Sequence, residues 1–424
     1  MLRLLYALLG ICDFRFIKLA ISGFNTDQEL LAYHGKNKFI YRSYRYYTLN
    51  IAVTCKRILV LNNYPLDRVM REVQLLETPD HGLFGVDKFL ELGFEPVFLP
   101  FPAIGAWHIL QNLSRKLRLP IELGDLQQQI TALKLSKNAD MVFAPCGTQT
   151  HLLQYLRALG LYRLPIVTLM HHPFPKGKLD FLRCWQRRLF LRGADRLMTL
   201  SSALVEDLKA AGAPENKLTS LSWGTDVHFY GSWQSPGRGV IATGRTGRDF
   251  KTFAKAVIRS QCLATLIGLQ SQLEDPIYRS SSNLTVIATR DEQPVPGENR
   301  GWMKYSDLCV HMRNHAAIAI PLFAQRNLAG LTSLMDVLGL GRAVLMTRNR
   351  HIDLDIEAEG IGFWLDPGDV DGWIQRLNWI HDHPHEVETM GKRARYLAEE
   401  HYNSDAFAAQ LPVIFNNALC ANLG

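Results

Sequence analysis

A turn of small residues, a helix and a buried strand follow one another without slack at residues 327–348, NLAGLTSLMDVLGLGRAVLMTR. Asn327, Gly330, Thr332 and Ser333 form the turn, and a Thr or Ser there caps the helix that follows. The helix is expected over about 333–338, stopped by Gly339-Leu340-Gly341, and the apolar run 343–346 is expected as the next strand. A helix start behind small residues presents backbone N–H groups and a partial positive charge, which suits a phosphate. Asp336 falls about one turn further in, where a carboxylate accepts hydrogen bonds from sugar hydroxyls. The plainer reading of the same residues is a capped helix with Asp336 on a solvated face.

The same succession recurs along the chain. The apolar run 58–61 reads as a short buried strand, followed by a Gly-punctuated turn at 78–85 (TPDHGLFG), a helix at 86–92 and a strand at 96–99. Strand, loop, helix, Gly, strand opens a Rossmann-like unit, whose ligands gather at the carboxyl ends of its strands. The glycine-rich turn does not match the dinucleotide fingerprint, so NAD is not expected. Helices are expected at 107–116 and 124–133, and strands at 141–145 and 165–170. The second of these strands ends in His171-His172, at the edge where chemistry usually occurs. Either histidine is a candidate site residue, against a reading as a packed or merely exposed pair.

Residues 176–192 interleave six Lys or Arg with Phe, Leu and Trp185, a pattern that fits a helix docked on anionic membrane or a solvated covering helix. The stretch 232–238, with Pro236 beside Gly237, reads as a linker. Beyond it, the strand 240–243 runs into Gly244-Arg245-Thr246-Gly247-Arg248-Asp249 and a helix to 258. Further strands are expected at 264–268, 284–288, 317–322 and 360–365, with a polar loop at 289–299. Helices are expected from Val370 and Pro384, and a last one over 405–419 is interrupted at Pro412.

At 424 residues, 47% of them hydrophobic, the chain is long enough for two domains with ample cores. Its net charge of +7 favours an acidic partner such as a nucleotide diphosphate, an anionic lipid or nucleic acid. Seven scattered cysteines with no C-x-x-C pair argue against a zinc site and fit a reducing compartment. No apolar run is long enough to span a bilayer. Residues 1–56 differ from the rest: an apolar run at 4–12 is cut short by Asp13-Phe14-Arg15, and 33–47 is basic and aromatic. One expectation is that native translation starts near Val53, which recovery of Met1 on N-terminal sequencing rules out.

Taken in order, these phrases resemble retaining GT-B glycosyltransferases of the large family 4, over residues 57–415. Gly341-Arg342-Ala343-Val344 is similar to that family's Gly-x-Pro-Val, and Leu221-Ser222-Trp223-Gly224-Thr225-Asp226 to the phrase that closes its first domain. Asp336 falls on the second acid of the family's paired-acid motif, which holds the nucleotide ribose; the first acid falls on Leu328. The resemblance implies an α/β protein of two Rossmann-like, doubly wound domains with a cleft between them. The expected divisions are an extension at 1–56, an acceptor domain at 57–231, a nucleotide-sugar donor domain at 238–401, and a C-terminal helix at 402–424 crossing back to the first domain.

By the same resemblance, Arg245 and Arg248 neutralise the leaving diphosphate, and Gly244, Gly330, Thr332, Ser333 and Asp336 bind the donor. His171 or His172 lies near the reacting sugar, and His81, Gly82 and Gly85 form a loop toward phosphate and acceptor. The implied reaction moves a sugar from a nucleotide-diphosphate sugar to a glycan or lipid-linked hydroxyl with retention, as in polysaccharide biosynthesis. It requires no cofactor and no metal beyond that co-substrate. Expected partners are the nucleotide sugar, its acceptor and an anionic membrane surface, with no nucleic acid; the expected location is cytoplasmic, at the inner face of a membrane. The rival readings are a GT-B epimerase and a non-catalytic nucleotide-sugar or membrane-binding protein.

Overall fold

In the computed structural model, residues Met1–Thr54 and Cys55–Gly424 form two compact units. The structure describes residues 31–34, 37–40, 55–100, 122–174, 180–290 and 303–421. The expected helix at 107–116 lies outside them, as do most of the loop at 289–299 and the apolar run at 4–12. In the smaller unit, β1 (Leu31–His34) and β2 (Asn37–Ile40) pair antiparallel, with Leu31 opposite Ile40.

The larger unit carries two six-stranded sheets, and all the pairings in both are parallel. The first contains β3 (Lys56–Val60), β4 (Phe94–Phe98), β5 (Met141–Ala144), β6 (Ile166–Met170), β7 (Arg196–Thr199) and β8 (Leu218–Ser220), in the order β4-β3-β5-β6-β7-β8. Its helices are α1 (Leu66–Gln74), α2 (Leu126–Leu135), α3 (His151–Ala158), α4 (Asp180–Gly193) and α5 (Ser202–Ala210). A short helix, α6 (Val227–Tyr230), leads toward the second sheet. That sheet contains β9 (Val240–Thr243), β10 (Ala264–Leu269), β11 (Leu284–Thr289), β12 (Ala317–Ile320), β13 (Ala343–Thr347) and β14 (Gly362–Leu365), in the order β11-β10-β9-β12-β13-β14. With it go α7 (Phe250–Arg259), α8 (Tyr305–Arg313), α9 (Leu331–Leu340), α10 (Val370–Asp382) and α11 (Pro384–Glu400).

Strands β5, β6, β9, β12 and β13 are buried along their whole length, as parallel strands covered by helices on both faces must be. This is why they read as unbroken apolar runs. Each sheet reverses its order once, between β3 and β5 in the first and between β9 and β12 in the second. A parallel sheet opens a crevice at the carboxyl ends of the strands on either side of such a reversal. The loops after β3, β5, β9 and β12 therefore frame the candidate site.

The chain ends in α12 (Ser404–Ala408) and α13 (Leu411–Cys420). Pro412 stands in the first turn of α13, where its missing N–H costs no hydrogen bond, so the interruption falls just before it. Phe415 of α13 lies against the first domain, its ring centroid 5.2–5.4 Å from those of Phe89, Phe94 and Phe143. The expected helix at 86–92 is instead a 3-10 turn, Val86–Lys88, because its bonds close over three residues, as from Lys88 N–H to the Gly85 carbonyl (3.1 Å) and Phe89 N–H to that of Val86 (3.3 Å). The expected cap of α9 also differs. Gly330, with φ +92°, is the N-cap and no side chain caps the helix, so Thr332 and Ser333 fall inside its first turn.

Candidate functional site

The second-domain half of the site begins where β9 ends. Gly244 turns the chain with φ +118°, and a Cβ there would collide with the Arg248 guanidinium. With that space empty, Arg248 folds back over its own turn. Its Nε donates to the Thr243 carbonyl (2.8 Å), its Nη1 to the Thr246 carbonyl (3.2 Å) and its Nη2 to Ser333 Oγ (2.7 Å). The last bond joins the β9–α7 turn to the first turn of α9. Burial lowers the Arg248 pKa to about 10, which leaves it cationic at neutral pH. Arg245 is exposed on the same turn, and its carbonyl accepts from Gln272 Nε2 at 2.7 Å. Asp249 caps α7 through the Thr252 N–H, which fixes the turn from the other side.

Gly330 is a packing necessity as well as a turn. A Cβ there would lie 2.6 Å from Met346 Cε and 3.1 Å from Leu322 Cδ1. Asn349, buried after β13, braces the same loop by donating from Nδ2 to the carbonyls of Asn327 (2.9 Å) and Ala329 (3.0 Å). Nothing in the local sequence pattern singles Asn349 out, because its partners lie twenty residues away in the chain. Thr332 is exposed and Ser333 buried. Asp336, one turn on, is only 5% exposed. Its Oδ1 accepts from Tyr230 Oη at 2.6 Å and from Tyr305 Oη. Burial raises the carboxyl to about 6, against the pull of the two hydroxyls and of Arg248. The solvated-face alternative for Asp336 is thereby set aside.

The first-domain half lies at the ends of β3, β5 and β6. Asn62 and Gln128 exchange hydrogen bonds, Asn62 N–H to Gln128 Oε1 (3.1 Å) and Gln128 Nε2 to the Asn62 carbonyl (2.7 Å). Tyr64 Oη donates to the Gly82 carbonyl. His171 Nε2 sits 2.6 Å from the Pro145 carbonyl, so Nε2 must carry the proton and Nδ1 the lone pair. Burial holds its pKa down at about 4, leaving a neutral imidazole edge-on to Phe84. His172 is exposed, with its ring centroid 6.5 Å from that of His171.

The 78–85 turn sits deeper than its sequence suggests. His81 is buried, its ring edge-on to Trp223 and its pKa held down at about 4 by burial. Gly85, with φ +76°, lies under the C-terminal helices: a Cβ there would come within 2.9 Å of Leu411 Cδ1 and 3.1 Å of Ala408 Cβ. Its glycine character is thus required by packing. Arg248, Gly244, Ser333 and Asp336 come together in the second domain, whereas His81 packs on Trp223 and Gly85 on the terminal helices.

Polar contacts join the two halves. Asp353 of the second domain accepts from the Ser202 N–H (2.7 Å) and Ser202 Oγ (2.9 Å) at the start of α5. Asp207 of α5 accepts from Arg350 Nη2 (2.7 Å) and pairs with His351 Nε2 (2.9 Å). Beside them Leu328 packs on the first-domain cluster that contains Met170 and Leu204. At the position of the motif's first acid, an apolar side chain packs instead. Among the described residues, no group of three or more His, Cys, Asp or Glu side chains is placed to hold a metal, and no helix is long and apolar enough to cross a membrane.

Solved structures share this architecture across most of the chain. HepE of Anabaena, crystallised with UDP, superposes with a TM-score of 0.57 over 85% of this chain and 99% of its own, at 13% identity. Sucrose-phosphate synthase of Thermosynechococcus elongatus gives 0.59, over 86% and 100%, at 12% identity. The lipopolysaccharide outer core galactosyltransferase WaaB gives 0.56, over 86% and 99%, at 13% identity. No protein-family model matches the chain, and no curated protein does either.

Proposed function

We propose that this chain, a GT-B protein by fold, transfers a sugar from a nucleotide-diphosphate sugar to a hydroxyl acceptor. The observation that carries the reading is the Arg248–Ser333 bond, which fixes a guanidinium beside the uncapped start of α9. A diphosphate there meets a planar cation and a helix N-terminus together. Asp336 lies one turn away for the ribose; Gly244 leaves the space that Arg248 fills, Gly330 caps α9, and Thr332 stands exposed in its first turn. The UDP bound by HepE supports a uridine donor.

The anomeric C–O bond to the β-phosphate breaks as the acceptor oxygen bonds to the anomeric carbon. The acceptor proton passes to the departing phosphate oxygen on the same face. Configuration is then retained without a protein nucleophile, and Arg245 and Arg248 carry the charge that develops on the leaving group. The acceptor enters from the ends of β3, β5 and β6, where His171 and His172 stand. Exposed Trp185, Arg188 and Arg192 on α4 suit a lipid-linked acceptor presented at an anionic membrane.

Leu328 favours a second reading, a binding protein without turnover, because the first motif acid is absent. Thermal-shift titration with UDP, GDP, ADP and dTDP, on native protein and Arg248→Ala, tests the donor site. Stabilisation should grow with the logarithm of ligand concentration for one base and vanish in the variant. No shift with any of the four sinks the donor-site reading. Release of free nucleotide from the sugar form, in the presence of acceptor, separates the transferase from the binding protein.

A further inference from the structure

We propose that Tyr230 and Tyr305 are positioning residues, clamping one oxygen of Asp336 so that the other faces the ribose of the bound nucleotide. The proposal rests on the donor-site reading above. Both hydroxyls end on Oδ1, and among the described residues no hydrogen bond engages Oδ2. An ionised carboxylate only accepts, so both tyrosines donate and the rotation of the carboxyl group is fixed. The cost of burying that charge is offset in part by the two hydroxyls and by the nearby Arg248.

The chain is shaped to make this clamp. Tyr230 is 2% exposed and ends α6, and a Cβ on Gly339 would collide with its ring. Gly339 lies three residues after Asp336 on the same face of α9, so the slot it opens delivers the hydroxyl to the carboxylate. Arg313 Nη2 donates to the Tyr230 carbonyl (3.0 Å) and holds the other end of the residue. Tyr305 arrives independently, from the first turn of α8. Packing alone would be served by phenylalanine at both positions. The titratable and charged groups facing Asp336 are Tyr230 from α6, Tyr305 and Cys309 from α8, and Arg248 from the β9–α7 turn.

The clamp has a signature that plain packing lacks. Hydrogen bonds to the ionised form favour it, so removing one hydroxyl should raise the pH at which Asp336 takes up a proton. The experiment is calorimetric titration of UDP and 2′-deoxy-UDP (GDP and dGDP if guanine wins the screen) into native protein, Tyr230→Phe and Tyr305→Phe, from pH 5 to 8. Native protein should lose affinity on acidification with a midpoint near 6 and prefer the ribonucleotide to its deoxy form. Each variant should move that midpoint up by about one unit and shrink the ribo/deoxy preference several-fold. If nucleotide binds, fails to bind Arg248→Ala, and yet both Phe variants keep the native midpoint and preference, the clamp is refuted while the donor site stands. If no nucleotide binds native protein, both fall together. Tyr305→Phe, at the less buried position, keeps the test open should Tyr230→Phe not fold.

Discussion

Gly244 lies directly beneath the Arg248 guanidinium, in the one space that a side chain at 244 would need. Arg248 reaches Ser333 only because that space is empty. Gly244→Ala must both strain a backbone at φ +118° and push the guanidinium away. The strain costs about 1–3 kcal/mol. Losing a charge-assisted bond to phosphate should weaken nucleoside diphosphate binding by about tenfold or more. Paired chemical denaturation and calorimetry check the two effects. Undiminished binding by a folded Gly244→Ala protein would show that Arg248 does not touch the ligand.

Asp80 predicts an alkaline loss of stability. It is buried, its N–H donates to Asp226 Oδ2 (3.0 Å) and its Oδ2 accepts from Ser404 Oγ (2.9 Å). Burial first, then the charges of Asp226 and Asp87, raise its carboxyl to about 8, while Lys88 and Ser404 pull it down. The folded chain therefore keeps a proton that the unfolded chain releases near pH ~3.9. The stability this gives is complete below that pH and lost as pH rises through about 8, at no more than ~1.4 kcal/mol per pH unit. Between about pH 6.5 and 8, denaturation midpoints of the native protein should fall more steeply than those of Asp80→Asn. Parallel slopes would remove Asp80 from the account.

Restoring the missing acid is expected to fail. Leu328 packs against the cluster that holds Met170 and Leu204, so Leu328→Glu sets a carboxylate on apolar surface without a partner. The cost is about 1–3 kcal/mol, seen as a lower melting temperature and a larger radius in solution scattering. Sugar transfer should not increase. A gain in turnover at unchanged stability would mean that the cleft has room for the acid.

The strands were legible because parallel strands buried on both faces leave uninterrupted apolar runs, as at β5, β6, β9 and β13. Val370 and Pro384 marked helix starts through an Asp cap before one and a first-turn proline in the other. Helix α1 carried a signal that went unread: Leu66, Val69, Met70 and Val73 of LDRVMREVQ recur at helical spacing, and all four pack on the core. The turn at 78–85 misled, since glycines there read as ligand-facing when Gly85 is needed to seat Leu411. The tyrosines on Asp336 carry no local signal at all: the partners stand 106 and 31 residues away, and only the folded chain brings them together.

Thr225 and Asn403 pair in a parallel bridge, with Thr225 N–H bonded to the Tyr402 carbonyl (2.7 Å) and Ser404 N–H to the Thr225 carbonyl (3.0 Å). Immediately beyond it the chain is tied to the second domain: Arg395 holds the Val227 carbonyl, Arg313 that of Tyr230, and the buried Arg342 that of Gln234. Between the bridge and those ties, Asp226 takes the Asp80 N–H of the first domain. The two passages between the domains are thus laced side by side, so neither can shift without the other. Any swing of one domain against the other must therefore carry both passages together and break the Ser202–Asp353 contact.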